Sequence, residues 1–277
     1  MTVPQSLGKV EGFARRTQAA GFSGLLFTET GRTAYLNAAV ASQAAPGLKL
    51  STGVAVAFPR SPFVTAATAW ELQEATDPKV DVAAVNPWML RMAAEVADGV
   101  HVHPLGEPGY LTRHVVPNVA EGAAKSGRSV SDIALIVPVM TIVGDSDEER
   151  HKERELARVS MSFYGSTPNY AFIWDEAGFE GTTARIREKQ KAGDFKAMAA
   201  QITDDHIATF ATESTWDGLA DALIDKHEGI ATRIVLYNAL GDQERFERYG
   251  AVARHISTPD PRPGRPHPAA SASSKPH

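Results

Sequence analysis

The feature that most restricts this chain is a short apolar, β-rich run followed by a loop and a helix, repeated along most of its length. Gly24 to Thr28 (GLLFT) is the first clear run, placed after a helix whose inner face carries Val10, Phe13 and Ala14. Leu48 to Phe58 (LKLSTGVAVAF) is the second, closed by Pro59 and Pro62, and a helix over about Thr65 to Ala75 follows it without Gly or Pro. Val80 to Val85 (VDVAAV) runs into Asn86-Pro87, an N-cap residue and a first-turn proline. That helix passes through Leu90, Ala93 and Ala97 to a stop at Asp98-Gly99, and Val100 to His103 is the next strand.

Further along, Ile133 to Val143 is the longest apolar run, and Pro138 inside it argues for a bulge or an edge. Ser146 and Glu149 have capping-box spacing and open a helix with Leu156, Val159 and Phe163 on one side. Helical segments follow near Glu180–Ala192, Asp194–Ile202 and Thr215–His227, the last with Thr215 as its cap, before a final strand over Arg233 to Asn238. With the weak N-terminal run Thr2 to Leu7, the count is seven strands. Strands alternating with helices predict an α/β fold with a parallel sheet and right-handed crossovers.

Composition narrows the function classes. A chain of 277 residues, 43% hydrophobic and 22% charged, has the make-up of a globular protein with a sizeable core. Its formal net charge of −5 gives no global attraction for nucleic acid or an anionic membrane. The absence of cysteine excludes disulfides, thiolate catalysis and Cys-ligated metal sites. No apolar stretch approaches the roughly 20 residues that span a bilayer, and the N-terminus lacks the apolar core of a secretory signal. A cytoplasmic protein is expected. The sequence from about Ser257 to His277 is Pro/Ser-rich without apolar periodicity, so the expected organisation is one domain over 1–256 and a disordered tail over 257–277.

The motif search is mostly exclusion. No G-x-S-x-G elbow, Walker loop, H-E-x-x-H helix or G-x-G-x-x-G fingerprint is present. His101 and His103 alternate on one strand and share a face, but no third ligand stands nearby, so no metal site is expected. For His103 two readings remain, an uncharged structural histidine or a hydrogen-bond partner of a cofactor or substrate. The turn Ala84-Val85-Asn86-Pro87 opens a helix, where exposed N–H groups and the helix dipole suit a phosphate. A plain helix cap is its structural alternative.

Several of these segments together resemble the luciferase-like monooxygenase superfamily, in its branch of coenzyme F420-dependent oxidoreductases. GFSGLLFTETGR is similar to that branch's second strand and following loop, and LKLSTGVAVAFPRSPFVTAATAWELQEAT to its third strand and helix. VDVAAVNPWMLRMAAEVADGVHVHP resembles the phosphate-loop strand, its helix and the next strand, while IALIVPVMTIVGDSDEER and FYGSTPNY resemble a later unit. In the family a Gly-rich strand and a long insertion follow the helix that here ends at ELQEAT. Here Asp77-Pro78-Lys79 and VDVAAV follow at once, so the resemblance implies a TIM-type (β/α) barrel short of one strand-helix segment.

The resemblance also implies a site. Glu29 and Thr30 would face the cofactor ring, Gly53 and Val54 would supply a non-prolyl cis peptide and bulge beneath it, and Ala84, Val85, Asn86 and Pro87 would meet its phosphate. His103 would bond to cofactor or substrate, and Arg60 and Ser61 resemble the family's structural PRSP turn. No catalytic acid or base is assigned. Three functions stay open: an F420-dependent oxidoreductase passing a hydride between the deazaflavin and a small organic substrate, an FMN-dependent monooxygenase, or a non-catalytic flavin-binding or cofactor-free remnant. A homodimer is expected to cover strand edges at the seam near Asp77 and Lys79.

Overall fold

The structure is a computed structural model that describes residues 5–56, 58–74, 81–237, 239 and 241–257. In chain order these residues form α1 (Leu7–Ala19), β1 (Gly24–Phe27), α2 (Ala34–Ala44), β2 (Lys49–Thr52), α3 (Pro62–Glu74), β3 (Asp81–Ala83), α4 (Pro87–Val96) and β4 (Gly99–His101). A short α5 (Pro108–Tyr110) runs through a π-turn into α6 (Val116–Lys125), and β5 (Ala134–Val143) leads to the long α7 (Asp147–Gly165). Then come α8 (Ala171–Glu176), α9 (Thr182–Lys191), α10 (Phe195–Ala199), α11 (Asp204–Phe210), β6 (Ala211–Ser214), α12 (Leu219–His227), β7 (Arg233–Leu236) and α13 (Gln243–Ser257).

The contacts divide the chain into two compact units. The first comprises the described residues of Met1–Ala83, Ala97–His101 and Asn238–His277. Within it β1 pairs with β2 in parallel register, Leu25 opposite Leu50, and β3 pairs with β4, Val82 opposite Val100. Parallel neighbours need a crossover, which α2 supplies for the first pair. Thr33 caps α2 by accepting the Leu36 N–H at 3.3 Å. Its core joins Val10, Phe13 and Ala14 of α1 to Leu25 and Phe27 of β1, Ala34, Ala38, Ala41 and Ala44 of α2 and Phe246 of α13.

The second unit holds Ala84–Val96 and Val102–Tyr237. Its spine is β5, which pairs in parallel with β7 over Ile136–Val139 and with β6 over Met140–Val143. Pro138 is neither at a bulge nor at an edge, since it sits in regular register opposite Val235. The reason is parity. The ladder to β7 runs through the carbonyls of Leu135 and Val139, which accept from Thr232 and Tyr237, and alternate residues of a strand turn their amides to opposite sides. The N–H that Pro138 lacks does not belong to that ladder.

Local signals were realised where capping chemistry governs. Asn86 caps α4, its Oδ1 accepting from Met89 N–H at 2.9 Å, and Ser146 and Glu149 form the reciprocal capping box of α7. Other expectations need correction. The second apolar run yields a strand only over Lys49–Thr52, and β6 was not expected at all. Thr215 does not cap α12; its Oγ1 accepts from Gly218 N–H in the turn before the helix. Leu7 begins α1 rather than ending a strand, and the rest of that run from Thr2 to Pro4 lies outside the described residues. So do the seam residues Asp77 and Lys79 and the tail from 258 onward. The apolar side of α7 faces outward: Leu156, Val159 and Phe163 are exposed, while Ala157, Met161, Ser162 and Gly165 are buried. Among the described residues no helix is long and apolar enough to cross a membrane.

Close packing of α4 on α6 rests on Gly122, where an added Cβ would lie 2.1 Å from the Arg91 carbonyl oxygen. Gly122→Ala is therefore expected to destabilise by about 2 kcal/mol or more, because backbone rather than a mobile side chain must yield. Gly12→Ala, mid-helix in α1 and 3.9 Å from only the Arg16 guanidinium, is expected to stabilise by about 0.5–1 kcal/mol. Urea unfolding of the two variants checks the opposite signs.

Candidate functional site

The site residues expected from sequence fall in both units. In the first, the loop after β1 is clamped to the segment after β2. Glu29 accepts from Arg60 Nη1 at 2.9 Å and Nη2 at 2.5 Å and from Val56 N–H at 2.5 Å, and Arg60 Nη1 also donates to the Val56 carbonyl at 2.8 Å. The Arg60 guanidinium lies 5.1 Å from the centre of the Tyr35 ring. Hydrogen bonding from Arg60 holds the Glu29 carboxyl below the usual carboxylate range against the opposing effect of burial, with Val56 N–H assisting. Both carboxylate oxygens are thus engaged by the protein itself. Thr30 is exposed beside them.

The Gly53–Val54 bond is cis. Gly53 donates its N–H to the Phe27 carbonyl at 2.8 Å, and a Cβ at Gly53 would lie 2.7 Å from the Leu26 side chain, so only glycine fits this close approach. Val54 is exposed.

In the second unit Ala84 is buried, and the Val85 carbonyl accepts the Tyr110 hydroxyl at 3.0 Å. The start of α4 is largely satisfied from within. Pro87 has no N–H, Met89 N–H goes to the Asn86 side chain and Leu90 N–H to the Asn86 carbonyl at 2.9 Å. Of the first four backbone positions Trp88 is the one whose N–H these bonds leave over.

His103 is the most informative member. It lies two residues beyond β4, is 5% exposed, and accepts the Leu105 N–H at Nδ1 at 3.2 Å. In the neutral ring the proton must then sit on Nε2, which is buried and has no hydrogen-bond partner among the described residues. Burial pushes the pKa of His103 down to about 3, so the ring is uncharged at neutral pH. Tyr164 meets the imidazole edge-on with centroids 5.3 Å apart, and the Tyr170 ring is tilted against it with centroids 4.1 Å apart. The Tyr164 hydroxyl is hydrogen-bonded to that of Tyr237, and burial raises the Tyr164 pKa.

The sequence reading missed the three tyrosines. Tyr237 had a signal, since it directly follows the last residue of β7, and ligand groups gather at the C-terminal ends of parallel strands. Tyr164 and Tyr170 stand in the block FYGSTPNY, where nothing local shows that they meet a histidine some sixty residues earlier. Among the described residues no group of three His, Asp or Glu side chains is placed to hold a metal ion.

Comparison with known proteins adds the family context. The family model for the luciferase-like monooxygenases matches residues 1–77 and 74–233, two stretches that meet where the sequence reading puts the missing segment. An uncharacterized protein of Mycobacterium tuberculosis is 34% identical over 167 residues, which is 60% of this chain and 49% of that protein. The 5,10-methylenetetrahydromethanopterin reductase of Methanopyrus kandleri is 27% identical over 164 residues, 58% of this chain and 45% of that enzyme. The chain spans about half the length of the curated relatives it matches. Among solved structures, the coenzyme F420-dependent tetrahydromethanopterin reductase of Methanopyrus kandleri superposes with a TM-score of 0.72 at 16% identity, over 90% of this chain and 95% of that one.

The depressed pKa of His103 has a consequence for stability. Below pH 6.5 the unfolded chain takes up a proton that the folded ring refuses until about pH 3, so stability falls across that window as pH drops. The expected slope is about 1.4 kcal/mol per pH unit. His103→Phe removes it, so the difference in unfolding free energy between the two proteins should change with that slope between pH 6 and 4. A pH-independent difference would show that the ring is not buried as an uncharged group.

Proposed function

The chain belongs to the luciferase-like monooxygenase family, with its α/β, TIM-type barrel fold, and we propose that it is an F420-dependent oxidoreductase of that family acting on a small organic substrate. The observation that carries this reading is the buried Nε2–H of His103, which has no partner among the described residues and stands in a ring packed by Tyr164 and Tyr170. A donor withheld from water costs about 1–3 kcal/mol unless something accepts from it. A planar heteroaromatic ring bearing carbonyl groups meets that need and fits between aromatic side chains. Printed names of relatives favour the deazaflavin over FMN, since the matched reductase structure is described as F420-dependent.

On this reading His103 would donate to the ring or substrate and the start of α4 would take the phosphate, both in the second unit; taken by itself, the first unit offers the Gly53–Val54 segment, Thr30 and Glu29. At the start of α4 the Trp88 N–H and the Asn86 amide, framed by Ala84, Val85 and Pro87, are the donors left over from capping. Bound F420 would supply hydride chemistry. The protein's part is orientation, exclusion of water and placement of neutral donors. Glu29 acts at one remove: paired with Arg60, it fixes the loop that presents Thr30.

Equilibrium titration of the purified chain with F420 and with FMN, followed by fluorescence, tests the proposal. F420 is expected to bind at least tenfold more tightly than FMN, and His103→Phe to weaken F420 about five- to tenfold, the value of one hydrogen bond to a buried donor. Tighter FMN binding would favour the monooxygenase reading. If neither binds a chain whose circular dichroism shows it folded, the protein is a cofactor-free barrel and the proposal fails.

A further inference from the structure

In the first unit α3 stands with little of its own to hold it. None of the described residues of α3 is buried. Its inner side, Thr65, Thr68, Ala69, Leu72 and Gln73, is half-buried, and of these Leu72 packs against the core. A helix of 13 residues that includes β-branched Val64, Thr65 and Thr68 is marginal in water without tertiary packing. Its outer side is not a solvated face either, since no charged residue occurs from Ser61 to Trp70. That side exposes Phe63 at 81% and Trp70 at 66%, two turns apart, with exposed Ala66 and Ala67 between them. The indole of Trp70 is oriented by its Nε1–H, which donates to Glu74 at 2.9 Å.

We propose that this face binds a second copy of the chain, with the two α3 helices crossing antiparallel about a two-fold axis at Ala66 and Ala67. The inference goes beyond the oxidoreductase reading and does not depend on it. The face is its own complement. In an antiparallel pair centred between Ala66 and Ala67, Phe63 of each copy meets Trp70 of the other, and the small alanines at the axis let the backbones approach. Phe63 and Trp70 together offer about 300 Å² of exposed surface per copy. With Pro62, Val64 and both alanines, two copies bury about 1,000 Å², where specific interfaces begin. Charge selects the same direction. Glu71 and Glu74 stand in the last turn of α3, which has no basic residue and where the helix dipole disfavours them. An antiparallel crossing carries them towards the N-terminus of the other helix, where the dipole favours them, whereas a parallel one brings the carboxylates together.

The chain has no cysteine, so single introduced cysteines report the crossing. Ala66→Cys lies at the axis, within disulfide reach of its counterpart, while Glu74→Cys, on the same exposed side, lies about 20 Å from its own. Under mild oxidation the first is expected to cross-link about tenfold faster than the second. Sedimentation equilibrium of the unaltered chain is expected to show a monomer–dimer equilibrium. Trp70→Ala and Ala66→Glu should each weaken it by about tenfold or more, the loss typical of a central interface position. Both residues are exposed, so circular dichroism should not change. A strictly monomeric unaltered chain overturns the proposal, whether its α3 stays open or is covered from within the same chain. A dimer that either variant leaves intact does so too, because the interface then lies elsewhere. Cross-linking of Glu74→Cys as fast as Ala66→Cys overturns the antiparallel crossing, being the mark of a parallel pair or of random encounter.

Discussion

A parallel ladder cannot be closed by a tight turn, and most of what this structure does follows from that constraint. Each strand must hand the chain to a crossover before a parallel neighbour can form, so strand ends become the places where loops begin. Thr28 to Arg32 after β1, the cis Gly53–Val54 segment after β2 and His103 beyond β4 all occupy such ends. Tyr237 does so after β7, where its N–H still bonds to the Val139 carbonyl of β5. A residue whose backbone is tied to the ladder has its side chain held in a fixed direction. Functional groups accumulate there for that mechanical reason.

The loops at these ends are themselves held by polar bonds rather than by apolar burial. Glu29 and Arg60 lie 31 positions apart, and together with the Val56 backbone they join the two loops that follow the paired strands β1 and β2. Their side chains are only 10% and 17% exposed, so the pair gains from a reduced local dielectric while several donors share its desolvation. As pH falls through the lowered pKa of Glu29 the clamp loses its charge, whereas above the ordinary carboxylate range it is fully present.

How much of this was legible depended on whether the deciding interaction was local. The starts of α4 and α7 were readable because Asn86 and Ser146 meet partners three residues away. The strand β6 was not, since Ala-Thr-Glu-Ser has no apolar run and follows α11 without a loop. Which face of α7 turns inward was not readable from its apolar residues, because close packing selects small ones there. Gly165 is buried where a Cβ would lie 2.7 Å from Ile186 and 3.0 Å from Trp174, and the larger Leu156, Val159 and Phe163 face out. The place of His103 just beyond a strand end was readable, because the apolar run before it is local. The bond from Tyr164 to Tyr237 crosses 73 residues and exists only once the unit has folded.

The chemical character of His103 is set by the backbone turn that follows it. Leu105 is fully buried and aims its N–H at Nδ1, while Gly106 donates to the His103 carbonyl at 2.9 Å. Gly106 permits that turn: a Cβ there would lie 3.0 Å from the same carbonyl oxygen and 3.2 Å from Leu111. Glu107 then accepts the N–H groups of Gly109 and Tyr110, and Tyr110 in turn donates to the Val85 carbonyl before α4. The turn fixes the tautomer, the tautomer puts the proton on Nε2, and burial keeps the ring from gaining a second one. A histidine arranged in this way carries one neutral N–H donor, and the turn that follows it decides on which nitrogen that donor stands.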